Sequence, residues 1–236
     1  MTSIPPKLTA IVQDAPGKHT ATVIFMHGFG DSGAGWAPVG EHISRYAPHV
    51  KTVFPNAPAI PIAVNGGMLM PAWYDIRGSL NQDQAQDEEG MLRSRQQIME
   101  IVREEIEVHG VPANRIVLGG FSQGCVLALL TGLMAEYNFA GLVALSGYMP
   151  MHTKIMDMVS EASKKTPIFW GHGDADQMVR YEYGQQSVEL LEKHKYNVEF
   201  KTYHNMGHSA SNEELRDMLE FFRRTIPAEV HLVAKV

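Results

Sequence analysis

The chain has a single cysteine, Cys125, in 236 residues. One thiol excludes an internal disulfide framework and a cysteine-built metal site. It reads as a small buried hydrophobe, because free cysteine is among the most buried residue types. Positive charge is in deficit too, with 20 Lys and Arg against 26 Asp and Glu and a net charge of −6, which argues against nucleic acid as a partner. No run approaches the roughly eighteen consecutive apolar residues of a membrane helix. Residues 1–7 lack the basic region and apolar core of a signal peptide, so a cytoplasmic protein, with the nucleus also open to it, is expected. Eleven histidines are present, yet none stands in H-E-x-x-H or comparable spacing, and neither a metal nor another cofactor is expected. No Pro/Gly/Ser-rich linker or charge block divides the chain, so residues 1–236 are expected to form one domain.

Apolar runs bounded by turn residues recur at 8–12, 21–26, 50–54, 115–118, 141–145, 167–170 and 198–203. They predict a sheet of about seven strands. Several are apolar along most of their length, as expected of strands covered on both faces in a parallel sheet. Helical stripes lie between and after them: Ile98, Ile101, Val102 and Ile106 within 87–109, and Leu215, Met218, Leu219 and Phe222 near the C terminus. Ser211 and Glu214 have the spacing of a capping box at the start of that last helix. The fold class is therefore α/β, a mostly parallel central sheet with helices on both faces, the first two strands joining as an antiparallel edge.

The chemistry is concentrated at strand ends. Gly120-Phe121-Ser122-Gln123-Gly124 follows the run 115–118 and opens an apolar stretch, 125–133, that reads as a helix. With 21 glycines in the chain, G-x-S-x-G is within reach of chance, so the strand-turn-helix context carries the inference. That context is a nucleophile elbow: a serine in a tight turn, flanked by glycines so that strand and helix pack closely, with the positive end of the helix dipole beside its hydroxyl. A serine hydroxyl needs a histidine to take its proton and a carboxylate to orient that histidine. Candidates stand in the loops after the runs ending at 170 and 203: Asp174 or Asp176, and His204 or His208. Asp176 is favoured because Asp176-Gln177-Met178-Val179 has the D-x-x-V pattern of many hydrolase acids, Asp174 then bracing the loop. His208, preceded by Gly207, reaches further to the rim. The order Ser122, Asp176, His208 is that of α/β-hydrolases. In that fold one oxyanion donor is the N–H after the nucleophile, Gln123, and the other comes from the loop after 21–26, where Phe29 is assigned. Both act through main chain. His27 and His172, each a His-Gly directly after a strand, read as buried turn residues. Asp87, Glu88 and Glu89 read as the acidic first turn of a helix. Of fourteen methionines, most fill core, while Met68, Met70 and Met178 are expected to line an adaptable apolar cavity.

Several motifs together go further. The stretch 23–33, VIFMHGFGDSG, with Trp36; Pro71-Ala72-Trp73-Tyr74-Asp75-Ile76; 115–124, RIVLGGFSQG; and Gly173-Asp174-Ala175-Asp176 resemble acyl-protein thioesterases of the lysophospholipase-like carboxylesterase family. The resemblance spans 21–222. It implies an α/β-hydrolase fold and hydrolysis of S-palmitoyl thioesters on cytosolic proteins, with lysophospholipids and small esters as further substrates. It places the triad on Ser122, Asp176 and His208 and the oxyanion donors on Phe29 and Gln123. It puts the acyl channel at Ile62, Val64, Met68, Leu69, Met70 and Trp73, with Met178 beside the acid. It allows a homodimer and a transient contact with a membrane surface. Two departures stand out. Some members carry an acylated cysteine near the amino terminus where this chain begins Met1-Thr2-Ser3-Ile4, and Cys125 replaces a glycine common in the family. A short-chain carboxylesterase and a silent hydrolase-fold binding protein are the alternatives, and the filled triad positions speak against the second. The tail beyond Ile226 carries no readable feature.

Overall fold

The computed structural model describes residues 6–78 and 86–229. The tail beyond 229, left unassigned by the sequence, lies outside them. Each of the seven apolar runs corresponds to a strand of one sheet: β1 (Ala10–Gln13), β2 (Ala21–Met26), β3 (Val50–Pro55), β6 (Ile116–Phe121), β7 (Gly141–Leu145), β8 (Ile168–Gly173) and β9 (Val198–Tyr203). The spatial order is β1-β3-β2-β6-β7-β8-β9, parallel throughout except at β1. The antiparallel edge forms with a different partner from the one expected: β1 pairs with β3, Ala10 opposite Pro55, not with β2. Both edges of β2 are already taken by β3 and β6, and all six of its residues are buried. The half-exposed β1 suits the rim.

Side-chain alternation divides the core in two. Ala21, Val23 and Phe25 of β2 face one layer, with α1 (Gly33–Tyr46) and α5 (Asn212–Thr225) packed over it through Trp36, Ile43, Met218, Phe221 and Phe222. Ile24 and Met26 face the other, against α2 (Glu88–Glu107), α3 (Gln123–Met134) and α4 (Tyr181–Lys193). The period of two along each strand thus supplies a helix-covered surface on both faces. A second, two-stranded sheet was not read from the sequence: β4 (Ala59–Ile62) and β5 (Met68–Pro71) form an antiparallel hairpin, Ile60 opposite Met70. Gly66 and Gly67, both at positive φ, carry its turn.

α3 runs through the middle of the molecule, and every residue from Gln123 to Leu133 is buried. Its approach to the sheet explains the two glycines of the elbow. A Cβ on Gly120 would overlap the carbonyl of Gly124, and one on Gly124 would overlap the carbonyls of Met26 and His27. Cys125 fits because its neighbour across the turn is Gly147, where a Cβ would overlap the thiol sulfur. Gly124→Ala is therefore expected to destabilise the protein by about 3 kcal/mol, the upper range for overpacking. A urea-unfolding midpoint equal to that of the unmodified protein would contradict the close-approach argument.

Candidate active site

Three strand ends deliver three polar side chains to one point above the sheet. Ser122 sits between β6 and α3 with φ 54° and ψ −118°, a backbone conformation that L residues rarely adopt. It is held there by its N–H, which donates to the carbonyl of Leu145 on β7 at 2.9 Å. Asp176 lies in the loop after β8, and His208 in the loop after β9. His208 Nε2 is 2.9 Å from Ser122 Oγ. His208 Nδ1 is 2.7 Å from Asp176 Oδ2. A carboxylate only accepts, so the Nδ1 proton goes to Asp176 and the bare Nε2 lone pair faces the serine hydroxyl. The imidazole also lies against the Phe121 ring, centroids 4.7 Å apart.

Asp176 is almost fully buried. Burial alone would raise its pKa, yet the His172 ring 3.5 Å away, the hydrogen bond and charge interaction with His208, and the Val179 N–H outweigh it and hold the carboxyl well below the usual carboxylate range. Its Oδ1 accepts the N–H groups of Met178 and Val179, each at 2.9 Å. The rival pair is elsewhere and occupied with itself: His204 Nδ1 is 2.7 Å from Asp174 Oδ2, and Asp174 Oδ1 accepts the Asn205 N–H at 2.7 Å. That exposed pair ties the β8 loop to the β9 loop, the bracing role expected of Asp174.

His27 and His172 are buried turn residues. His27 Nδ1 donates to the Gly28 carbonyl at 2.7 Å, Nε2 accepts the Ala57 N–H at 3.0 Å, and burial lowers the pKa of the ring. His172 Nε2 donates to the Val179 carbonyl at 2.8 Å. His27 thereby shapes the loop that carries Phe29, which is also tied down by the Gly30 N–H donating to Pro71 at 2.9 Å. The Phe29 ring packs against Ile62, Ala72 and Ile76, in the small apolar cluster that Ile60 and Met70 of the hairpin also join. Gln123 begins α3, where a helix leaves its first N–H groups without internal acceptors.

Two features escaped the sequence. The Gln123 side chain is itself engaged: Oε1 accepts the Trp73 N–H and Nε2 donates to the Tyr74 carbonyl, both at 2.8 Å. The residues assigned to an acyl channel also divide. Ile62 is fully buried and, with Met70, belongs to the cluster beneath the hairpin. Trp73 is buried in the main core, its Nε1 donating to the His27 carbonyl at 2.8 Å. Val64, Met68, Leu69 and Met178 face solvent, Met68 and Leu69 at 63% and 67% exposure. Periodicity cannot reveal which face of a short hairpin turns outward when both strands are apolar. A cavity of about 640 Å³ lies at the other end of the sheet, between Tyr46, His49, Leu219 and Ile226. None of the three linked polar residues lines it.

The family described as Phospholipase/Carboxylesterase matches residues 8–226. A Yarrowia lipolytica protein named acyl-protein thioesterase 1 is 43% identical over 225 residues, covering 94% of this chain and 99% of its own. A Neurospora crassa protein of the same name is 45% identical over 221 residues, covering 90% of each. The crystal structure of Zea mays acyl-protein thioesterase 2 shares 28% identity at a TM-score of 0.83, covering 92% of this chain and 99% of that one.

The depressed pKa of Asp176 fixes the sign of one pH effect. Stability from its ionised form is present above the unfolded carboxyl value of about 4 and is lost as pH falls through the folded value. Asp176→Asn should therefore lose less stability than the unmodified protein when pH is lowered below about 4. Parallel denaturation midpoints for the two proteins through that range would contradict the assignment.

Proposed function

The chain belongs to the Phospholipase/Carboxylesterase family, is a hydrolase with an α/β-hydrolase fold, and on that premise we propose that it cleaves long-chain acyl thioesters on proteins through an acyl-serine intermediate. The observation that carries the reading is the linked pair of distances, 2.9 Å from Ser122 Oγ to His208 Nε2 and 2.7 Å from His208 Nδ1 to Asp176 Oδ2.

The chemistry follows from those atoms. His208 Nε2 takes the Ser122 proton as Oγ attacks the thioester carbonyl carbon, and Asp176 stabilises the imidazolium that forms. The carbonyl oxygen becomes an oxyanion within reach of the N–H groups of Gln123 and Phe29, in a region that also feels the positive end of the α3 dipole. Collapse breaks the carbon–sulfur bond, and the imidazolium returns its proton to the departing thiolate. Water, deprotonated by His208, then attacks the acyl-serine. The products are a carboxylic acid and the regenerated Ser122 hydroxyl.

The apolar rim supports a long acyl group. Val64, Met68, Leu69 and Met178 are exposed, while Ile62 and Met70 underlie the same hairpin. Each methylene moved from water to such a surface contributes about 0.8 kcal/mol. S-acylated proteins are thus the substrates in this reading, with lysophospholipids as a secondary class. The exposed hairpin gives the protein a surface for transient membrane contact or for pairing with a second copy. A cytoplasmic site of action, extending to the nucleus, belongs to the same reading. The open placement of those four side chains also favours a second reading, a carboxylesterase for short soluble esters that needs no enclosed channel.

Two measurements separate these. Ser122→Ala should abolish turnover of a palmitoylated peptide, whereas surviving turnover would contradict the mechanism. In the unmodified protein, kcat/KM should rise with acyl length toward sixteen carbons, the chain of a palmitoyl group, at about 0.8 kcal/mol or less per added methylene. A maximum at two to four carbons, about the length of a short soluble ester, would favour the short-ester reading.

A further inference from the structure

Glu214, in the first turn of α5, is 0% exposed, and among the described residues neither of its carboxyl oxygens has a hydrogen-bond partner. The sequence reads it as the reciprocal half of a capping box. The structure keeps only one arm of that box, the Ser211 hydroxyl accepting the Glu214 N–H at 3.1 Å. The backbone of the turn is therefore fixed while the acid points inward. It packs against Gly171 on β8, where a Cβ would overlap Oε1, and the Tyr203 ring lies beside the same point. Gly171 pairs with Leu145. Its carbonyl accepts the Ser146 N–H at 2.9 Å, and the Leu145 carbonyl accepts the Ser122 N–H at 2.9 Å. The buried carboxyl thus touches the strand pair that supports the nucleophile, and its helix begins where the His208 loop ends.

The titratable groups that interact with it are Asp217 on α5, Tyr203 on β9 and Cys125 on α3, with Glu213 on α5 acting on the same Tyr203. On β8 it meets the backbone at Gly171. None of them is a cation. Asp217 is itself engaged by Lys201 at 2.9 Å and accepts the Tyr203 hydroxyl at 2.9 Å. An ionised carboxylate in this setting meets no cation among these groups, and burial of a charge so weakly compensated is resolved by keeping the proton. Burial raises the Glu214 pKa to about 8; the Ser211 N–H, outside hydrogen-bond geometry, opposes the rise and Asp217 adds to it.

We propose that Glu214 is a positioning residue that works as a neutral carboxylic acid: its protonated form seats the first turn of α5 against β8, holding His208 over Ser122, and its ionisation releases that seat. The inference rests on the hydrolase reading of Ser122 and His208. An apolar side chain would fill the space at every pH, whereas the acid fills it only while protonated. The sign follows. The folded pKa lies above the unfolded one, so the contribution is complete below about 4.5 and declines as pH rises to about 8, where the folded molecules themselves lose the proton.

The test compares kcat against pH on palmitoylated peptide for the unmodified protein and Glu214→Gln, alongside carboxyl carbon-13 NMR titration of the unmodified protein carrying labelled glutamate. The unmodified protein should lose kcat by up to about tenfold per pH unit above about pH 8 with KM little changed, while Glu214→Gln keeps its rate across that range. One glutamate carboxyl should titrate near pH 8, apart from all others. The same alkaline loss in Glu214→Gln overturns the proposal, as does a spectrum in which every glutamate has titrated by about pH 6.5. If Glu214→Gln does not fold, the titration decides alone. If the unmodified protein turns over no thioester at any pH, the hydrolase reading fails, and the titration still decides the state of Glu214.

Discussion

The close approach of α3 to β2 and β6 is the constraint on which the site depends. Because no side chain fits at Gly120 or Gly124, the helix meets the sheet at backbone distance, and the connecting residue is driven to φ 54°. Ser122 accepts this strain because its N–H is bonded to Leu145 and its hydroxyl is bonded to His208. The same approach places the first N–H groups of α3 beside that hydroxyl. The Gln123 side chain then carries the order outward, pinning the main chain at Trp73 and Tyr74. Trp73 bonds the His27 carbonyl, and His27 bonds the start of the loop bearing Phe29. Nucleophile, both assigned oxyanion donors and the base of the hairpin are linked through this one turn.

Two buried carboxyls beneath and beside that turn have opposite electrostatic fates. Asp176 receives two backbone N–H groups and an imidazole N–H, so its charge is stabilised despite burial. Glu214 receives none on its carboxyl oxygens and remains an acid. Burial is common to both, and the number of donors decides. Such pairs of carboxyls with pKa values driven apart are what acid-base chemistry uses when it must run near neutrality.

The strands were legible because β2, β7 and β8 are buried on both faces, which keeps them apolar along most of their length; β3 is buried as well but carries Lys51 and Thr52 in its middle. The partner of β1 was not, since an edge strand carries no record of which neighbour has a free side. Pro61 and Pro71, together with Gly66 and Gly67, hid the hairpin, whose strands are only four residues each. At the site, chain order and loop position drew Ser122, Asp176 and His208 together, while the pairing of Asp174 with His204 needed coordinates. The sequence assigns Gln123 a role through its backbone alone; the two side-chain bonds to Trp73 and Tyr74 show a second constraint. Glu214 fitted a capping box by spacing, and spacing says nothing of the direction in which the carboxyl points.

The central claim is that an acyl group passes through Ser122. It is tested most directly by mixing the protein with a palmitoyl thioester, quenching in acid within a turnover, and locating the acyl adduct by peptide mass spectrometry. The account predicts the adduct on Ser122. An adduct on Cys125, or steady turnover with no acylated peptide and no burst of released thiol, would contradict it.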